Sequence, residues 1–130
     1  MKNNIFFFIK YLFYFSFIIL FILYLFPGSL IGFFLYGDLG RQPDLISNPL
    51  GTSINHLIFF FYLSILGLLL RNYNKKIIYS FSFLFLISII LELLHYFIPN
   101  RAFELNDLYA NSLGVLMAYF IFKILKKLKD

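Results

Sequence analysis

The chain has 130 residues, enough for one domain; 62% are hydrophobic, only 13% are charged, and the mean hydropathy is +0.86. A soluble domain carries roughly 45–50% apolar and about 25% charged residues, and one this small buries only about two-thirds of its surface. The composition therefore excludes an ordinary cytoplasmic enzyme, a disordered tail and a nucleic-acid-binding module. The net charge is +5 and there is no cysteine, which removes disulfides, thiolate metal sites and a cysteine nucleophile together.

A bilayer core of about 30 Å needs about 20 apolar residues in a helix. Four stretches meet or approach that length. The first is predicted over about 5–26, with Lys10 near its start able to snorkel to the interface. The second is predicted over 54–70, the third over 77–98 and the fourth over about 107–125, with Lys123 at its exit. Backbone groups in lipid must be satisfied within the segment, so single stretches this apolar are helices. No alternating pattern of barrel strands is present. The fold class expected is all-α, an integral membrane bundle of four transmembrane helices forming one domain over residues 1–130. The first apolar run is longer than the roughly 7–15 residues of a signal-peptide core, and no small-x-small cleavage site follows, which points to an uncleaved anchor.

The connections are uneven. Arg71 to Lys76 (RNYNKK) is a tight loop that makes the second and third spans antiparallel neighbours, and Pro99 to Asn106 is another short link. The long connection, 27–53, is rich in turn formers: Pro27, Gly28, Gly32, Gly37, Gly40, Pro43, Pro49 and Gly51. Its apolar stretch Leu30 to Tyr36 is expected to lie flat on the membrane surface.

Charge placement sets the expected orientation. With both termini in the cytoplasm, Lys2, Lys10, Arg71, Lys75, Lys76, Lys123, Lys126, Lys127 and Lys129 lie inside, and only Arg41 and Arg101 lie outside. Cytoplasmic loops carry the Lys and Arg excess, so the N-in, C-in arrangement is expected. Asp38, Asp44, Glu92, Glu104 and Asp107 then fall outside or at outer ends, leaving Asp130 inside. The basic C-terminal run IFKILKKLKD reads as an anchor against anionic lipid rather than a nucleic-acid patch. The expected location is a bacterial inner membrane, crossed several times.

This topology gathers the polar residues at one rim. Asn55 and His56 open the second span. Glu92 and His95, three residues apart, share a helix face in the last turns of the third. Arg101 follows in the loop. Asp107 and Asn111 lie one turn apart in the fourth, with Gly114 continuing their stripe. Glu92 is the most informative of these. A carboxylate in a span costs about 2.5–3.5 kcal/mol on insertion scales and normally faces a partner; Arg101, His56 and His95 are the candidates. Asp107 fits a site role and a first-turn helix acid equally well. Asn111 and Gly114 also suit interhelical hydrogen bonding and close packing.

The order of these residues resembles the VanZ-like family of bacterial membrane proteins over roughly Thr52 to Phe122. The second span opens on Thr52-Ser53-Ile54-Asn55-His56, in place of the family's D-K-x-x-H. The third ends Glu92-Leu93-Leu94-His95, in place of E-x-x-Q. The turn Pro99-Asn100-Arg101 matches P-x-R, and Asp107-Leu108-Tyr109-Ala110-Asn111-Ser112-Leu113-Gly114 matches D-x-x-A-N-x-x-G. The resemblance implies a cell-envelope role, with low-level resistance to the glycopeptide antibiotic teicoplanin as the phenotype linked to the family.

Three functions compete on the sequence. In the first, the outer rim binds a polar headgroup or an envelope lipid-linked ligand: Arg101 takes an anionic group, His56 and Asn111 supply hydrogen bonds, and Glu92 orients Arg101. In the second, the chain is an enzyme using His56, Glu92, His95 and Asp107 as acid and base, or holding zinc through His56, His95 and one carboxylate. In the third, it is a structural subunit whose small residues Ala110, Ser112, Gly114 and Ala118 meet a partner helix. Binding is favoured over catalysis, with membrane lipids as partners and no cofactor or metal expected.

Overall fold

A computed structural model describes residues 2–43 and 53–128. Thr52, Asp44, Pro49, Gly51, Lys129 and Asp130, which figured in the reading of the sequence, lie outside the described residues. Helix α1 spans Lys2–Leu25, α2 Leu30–Tyr36, α3 Ser53–Arg71, α4 Phe81–Leu94 and α5 Leu105–Lys127, with a short 3-10 turn at Ile77–Tyr79 before α4. Among the described residues there is no strand.

Three helices are long and apolar enough to cross a membrane: Asn4–Leu25, Ser53–Arg71 and Leu105–Lys127. The third predicted span is less regular than its apolar run suggests. Its α-helix has 14 residues, about 21 Å at 1.5 Å per residue, short of the hydrocarbon thickness by itself. Local chemistry explains both ends. Ser80 caps the start, its Oγ accepting from the Phe83 N–H at 3.2 Å and donating to the Ile77 carbonyl at 2.6 Å, so the chain before it winds as a separate 3-10 turn. At the other end, His95, Tyr96 and Phe97 donate their N–H groups three residues back, to Glu92, Leu93 and Leu94. This tightening satisfies the last carbonyls ahead of Pro99, whose ring disfavours a helical conformation in Ile98.

The four long elements alternate in direction. Phe6 at the start of α1 meets Tyr73 beyond the end of α3, whereas Tyr24 near the end of α1 meets His56 at the start of α3. Phe81 at the start of α4 stacks near Tyr119 late in α5. One end of the bundle therefore carries Lys75, Lys76, Lys123, Lys126 and Lys127, and the other carries the acidic and histidine residues.

The core runs down the axis as Phe13, Leu20, Phe60, Leu63, Leu66, Leu70, Tyr79, Leu84, Leu91 and Val115. The outer surface is apolar as well: Phe8, Tyr11, Phe15 and Ile18 on α1, Leu86 on α4, and Tyr109, Phe120 and Ile124 on α5 are exposed. A surface so apolar over so many turns is stable against lipid rather than water.

Helices α3 and α5 make the tightest pairing. A Cβ added at Gly114 would lie 2.5 Å from the Leu57 carbonyl oxygen and 2.9 Å from the Phe61 nitrogen, so only glycine lets the two backbones approach this closely. Ala110, Gly114 and Ala118 are all buried. At Gly114 this face meets α3 of its own chain.

The stretch Leu30–Tyr36 is helical. Ser29 caps it, its Oγ accepting from the Gly32 N–H at 2.9 Å, and Gly37 closes it in the left-handed conformation at φ 69°, as helix ends commonly do. The following chain folds back beneath it: the Ser29 N–H reaches the Leu39 carbonyl at 2.6 Å, and a Cβ at Gly32 would collide with the Arg41 carbonyl at 1.6 Å. Phe33, Phe34, Leu35 and Tyr36 stay exposed.

Candidate functional site

The ends of α1 and α4 and the starts of α3 and α5 converge on one buried polar network. Glu92 and Asn111 are fully buried, and His95, Asp107 and His56 are nearly so. Such groups are stable away from water only when their hydrogen bonds are met, and here most of them are.

Glu92 sits at the centre. Its Oε1 accepts from His95 Nδ1 at 3.2 Å and from the Glu104 backbone N–H at 3.3 Å. Its Oε2 accepts from Asn111 Nδ2 at 3.3 Å and lies 3.8 Å from His56 Nδ1. Three nitrogens approach one carboxyl through its two oxygens, using much of its hydrogen-bonding capacity. The i, i+3 spacing puts Glu92 and His95 on one face, and the 3-10 tightening after Leu94 turns His95 inward over it.

Asn111 holds the network together. Its amide nitrogen donates to Glu92 and to the Ser88 carbonyl at 3.4 Å. Its oxygen accepts from the Tyr24 hydroxyl at 2.7 Å and lies 3.2 Å from His56 Nδ1. Tyr24 Oη is also 2.7 Å from His56 Nδ1. Its single proton goes to Asn111, so the proton in the contact with His56 must come from His56 Nδ1. The other imidazole nitrogen, Nε2, then faces Asp107 Oδ2 at 3.4 Å, while Asp107 Oδ1 accepts from the Ser53 hydroxyl at 2.5 Å. Asp107 is thus a member of the network rather than only a first-turn acid. The N-cap of α5 is Glu104, which makes no side-chain capping bond.

Arg101 takes a different partner from the one expected. Its Nε donates to the Phe26 carbonyl at 3.3 Å and its Nη2 to the Leu23 carbonyl, so it serves the carbonyls at the end of α1, where a helix favours a cation. It forms no ion pair with Glu92. The turn that carries it is tight, with the preceding Asn100 in the left-handed conformation at φ 58°. Partial burial lowers the Arg101 pKa from its ordinary value, and the nearby acidic groups oppose that shift. The guanidinium stays charged throughout the physiological range.

Beside the network, beneath α2, lies a cavity of about 110 Å³. Leu20, Leu23, Leu30, Ile31 and Phe59 give it apolar walls; Tyr24, Asn55, His56, His95 and Arg101 give it a polar end. Among the described residues, two buried polar atoms there lack a partner: His95 Nε2 and Asn55 Oδ1. His95 Nδ1 is engaged with Glu92, and Nε2 is the ring nitrogen that faces the cavity side without a partner among the described residues. Asn55 Nδ2 is already spent on the Pro43 carbonyl at 2.6 Å. A second cavity, about 340 Å³, lies between the starts of α3 and α5, against Ser53, Leu57, Tyr109 and Ala110.

His56, Glu92, His95, Asp107 and Asn111, all anticipated from the sequence, are therefore brought together; Arg101 lies beside them on the cavity, and Gly114 packs a turn below. Tyr24, Ser53 and Ser88 were not anticipated. Tyr24 is one of ten tyrosines, and only its place near the polar end of a span sets it apart, since a buried tyrosine hydroxyl usually needs a partner.

A bundle that is all-helical among the described residues, with an apolar exterior and three helices long enough to cross a bilayer, defines the class: a membrane protein. Within that class the chain belongs to the VanZ/LLP1 family, whose model matches residues 8–126. No curated protein and no solved structure matches the chain.

Proposed function

We propose that the chain is a four-span protein of the bacterial inner membrane, with both termini in the cytoplasm, that binds an amphiphilic envelope ligand in the cavity beneath α2. The topology rests on three long helices, on α4 extended by its flanking turns, and on the separation of basic from acidic residues between the two ends. In this orientation the polar network and the cavity face the outer leaflet, and α2 lies along the membrane surface.

The observation that carries the ligand reading is a pair of buried polar atoms, His95 Nε2 and Asn55 Oδ1, that have no partner among the described residues and lie on the same cavity as a guanidinium. Buried polar atoms are seldom left unpaired. A hydroxyl or amide group on the ligand meets both, and Arg101 calls for an anionic group. The apolar walls suit a hydrocarbon chain. Together these describe a lipid-linked molecule with a phosphate-type charge and a hydroxylated headgroup. Reduced susceptibility to teicoplanin-type glycopeptides is the envelope phenotype that fits the family.

Native mass spectrometry in mild detergent, with added phosphatidylglycerol as the probe, tests this. The wild type should retain the lipid, and Arg101→Ala, with His95→Phe as a second variant that keeps the ring stacked on Tyr24, should each retain about tenfold less, the loss of about 1.4 kcal/mol of binding. Equal retention by all three overturns the reading.

A further inference from the structure

We infer that His56, Asp107 and Glu92 form a binding site for a divalent first-row transition cation, of the zinc or manganese type, independent of the ligand reading of the cavity. The hydrogen-bond pattern gives the first reason. With Nδ1 of His56 carrying its proton toward Tyr24, Nε2 and Asp107 Oδ2 face each other at 3.4 Å. A lone pair and a carboxylate oxygen at that distance repel unless a positive centre lies between them, which is a proton or a metal ion.

Charge gives the second reason. Glu92 and Asp107 are both buried, and the described residues place no Lys or Arg nitrogen within ion-pair distance of either. Arg101 directs its Nε and Nη2 to backbone carbonyls at the end of α1 rather than to either carboxylate. A proton on each histidine, in the His56–Asp107 and His95–Glu92 pairs, compensates the two carboxylates one at a time; a single divalent ion compensates both at once.

Geometry gives the third. Two ligands each about 2.1 Å from one ion at a near-tetrahedral angle are about 3.4 Å apart, the separation of Nε2 from Oδ2. One donor atom from each of His56, Glu92 and Asp107 lies within 4.8 Å of the other two. His56 Nε2 and Asp107 Oδ2 are the primary pair; Glu92 Oε2 stands 3.8 Å from the other ring nitrogen, Nδ1, and completes the set only by swinging toward the ion, since two donors on one ion lie no more than about 4.2 Å apart. Imidazole with carboxylates suits zinc, manganese or ferrous iron rather than magnesium or calcium, which prefer oxygen alone.

The surroundings match what metal ligands need behind them. The far nitrogen of a ligating histidine normally donates to an oxygen, and ligating carboxylates are themselves hydrogen-bonded. Here Nδ1 donates to Tyr24, and Ser53 donates to Asp107. Ser53 also lines the larger cavity between α3 and α5, which supplies an access path one side chain away from Asp107.

The experiment is equilibrium dialysis of the full chain, purified in mild detergent and stripped with chelator, against zinc, manganese and magnesium chloride separately. Zinc or manganese should bind with one ion per chain and magnesium should not. His56→Gln and Asp107→Asn should each weaken binding by about tenfold or more, and Asp38→Asn, an exposed acid elsewhere, should leave it unchanged. No stoichiometric zinc or manganese binding, or unchanged binding in both site variants, overturns the proposal. Should either variant lose its helical circular dichroism, the wild type alone decides: its unfolding temperature must rise with zinc or manganese concentration, and a flat response overturns the site.

Discussion

The two halves of the bundle are held together by different physics. In the half nearer the basic end, Phe13, Leu63, Leu70, Tyr79 and Leu84 pack with almost no polar atoms between them; Ser64 is buried there with its hydroxyl unpartnered. Packing of this kind depends on volume and shape, and tolerates exchange among residues of similar size. At the other end, Tyr24, His56, Glu92, Asp107 and Asn111 are joined by directional bonds in which each donor has a particular acceptor. Replacing one atom there reverses a donor or strands a neighbour, and volume hardly enters. In lipid this division has a further consequence. The apolar half gains little from burial as such, since lipid tails are as apolar as leucine, so close packing and polar contacts carry the association of helices.

Three substitutions break or sharpen this contrast, and thermal unfolding in detergent, read by circular dichroism, measures each. Gly114→Leu should have the largest effect, more than about 4 kcal/mol, because the new side chain meets backbone of α3 that cannot move aside. Glu92→Gln comes next, at about 1–3 kcal/mol: shape is kept, but an amide N–H₂ now faces one of the three donors that converge on the carboxylate. Leu63→Met should cost the least, under about 1.5 kcal/mol. A Glu92→Gln loss no greater than that of Leu63→Met would erase the distinction between the halves. A folded Gly114→Leu protein would show that α3 and α5 do not depend on backbone contact.

Much of this organisation is legible in the sequence. The four apolar stretches announce the helices, because lipid leaves a single segment no other way to satisfy its backbone. Glu92 announces the site, because an acid in so apolar a run needs a partner. The short α-helix of the third span is not legible: Ser80 caps it through a local hydrogen bond, while hydropathy continues without a break from Ile77 to Ile98. Tyr24 is hidden for a related reason, since nothing in the order of residues distinguishes a tyrosine at the lipid interface from one that holds a histidine and an asparagine in the interior. Arg101, His56 and His95 are all candidate partners of Glu92 in the sequence; the two histidines face it, whereas Arg101 turns to the carbonyls at the end of α1. Which of several nearby groups a side chain reaches depends on its rotamer and on the turn that carries it, and sequence pattern records neither.

The close contact at Gly114 also constrains how such a chain can change over generations. Every base change in a glycine codon that alters the amino acid adds at least a Cβ, and here even that atom would sit 2.5 Å from the Leu57 carbonyl oxygen. The position therefore has no harmless neighbour in the genetic code. An added side chain on the exposed apolar surface meets no backbone, but at the crossing of α3 and α5 even one extra carbon requires the backbone of the helices to move apart.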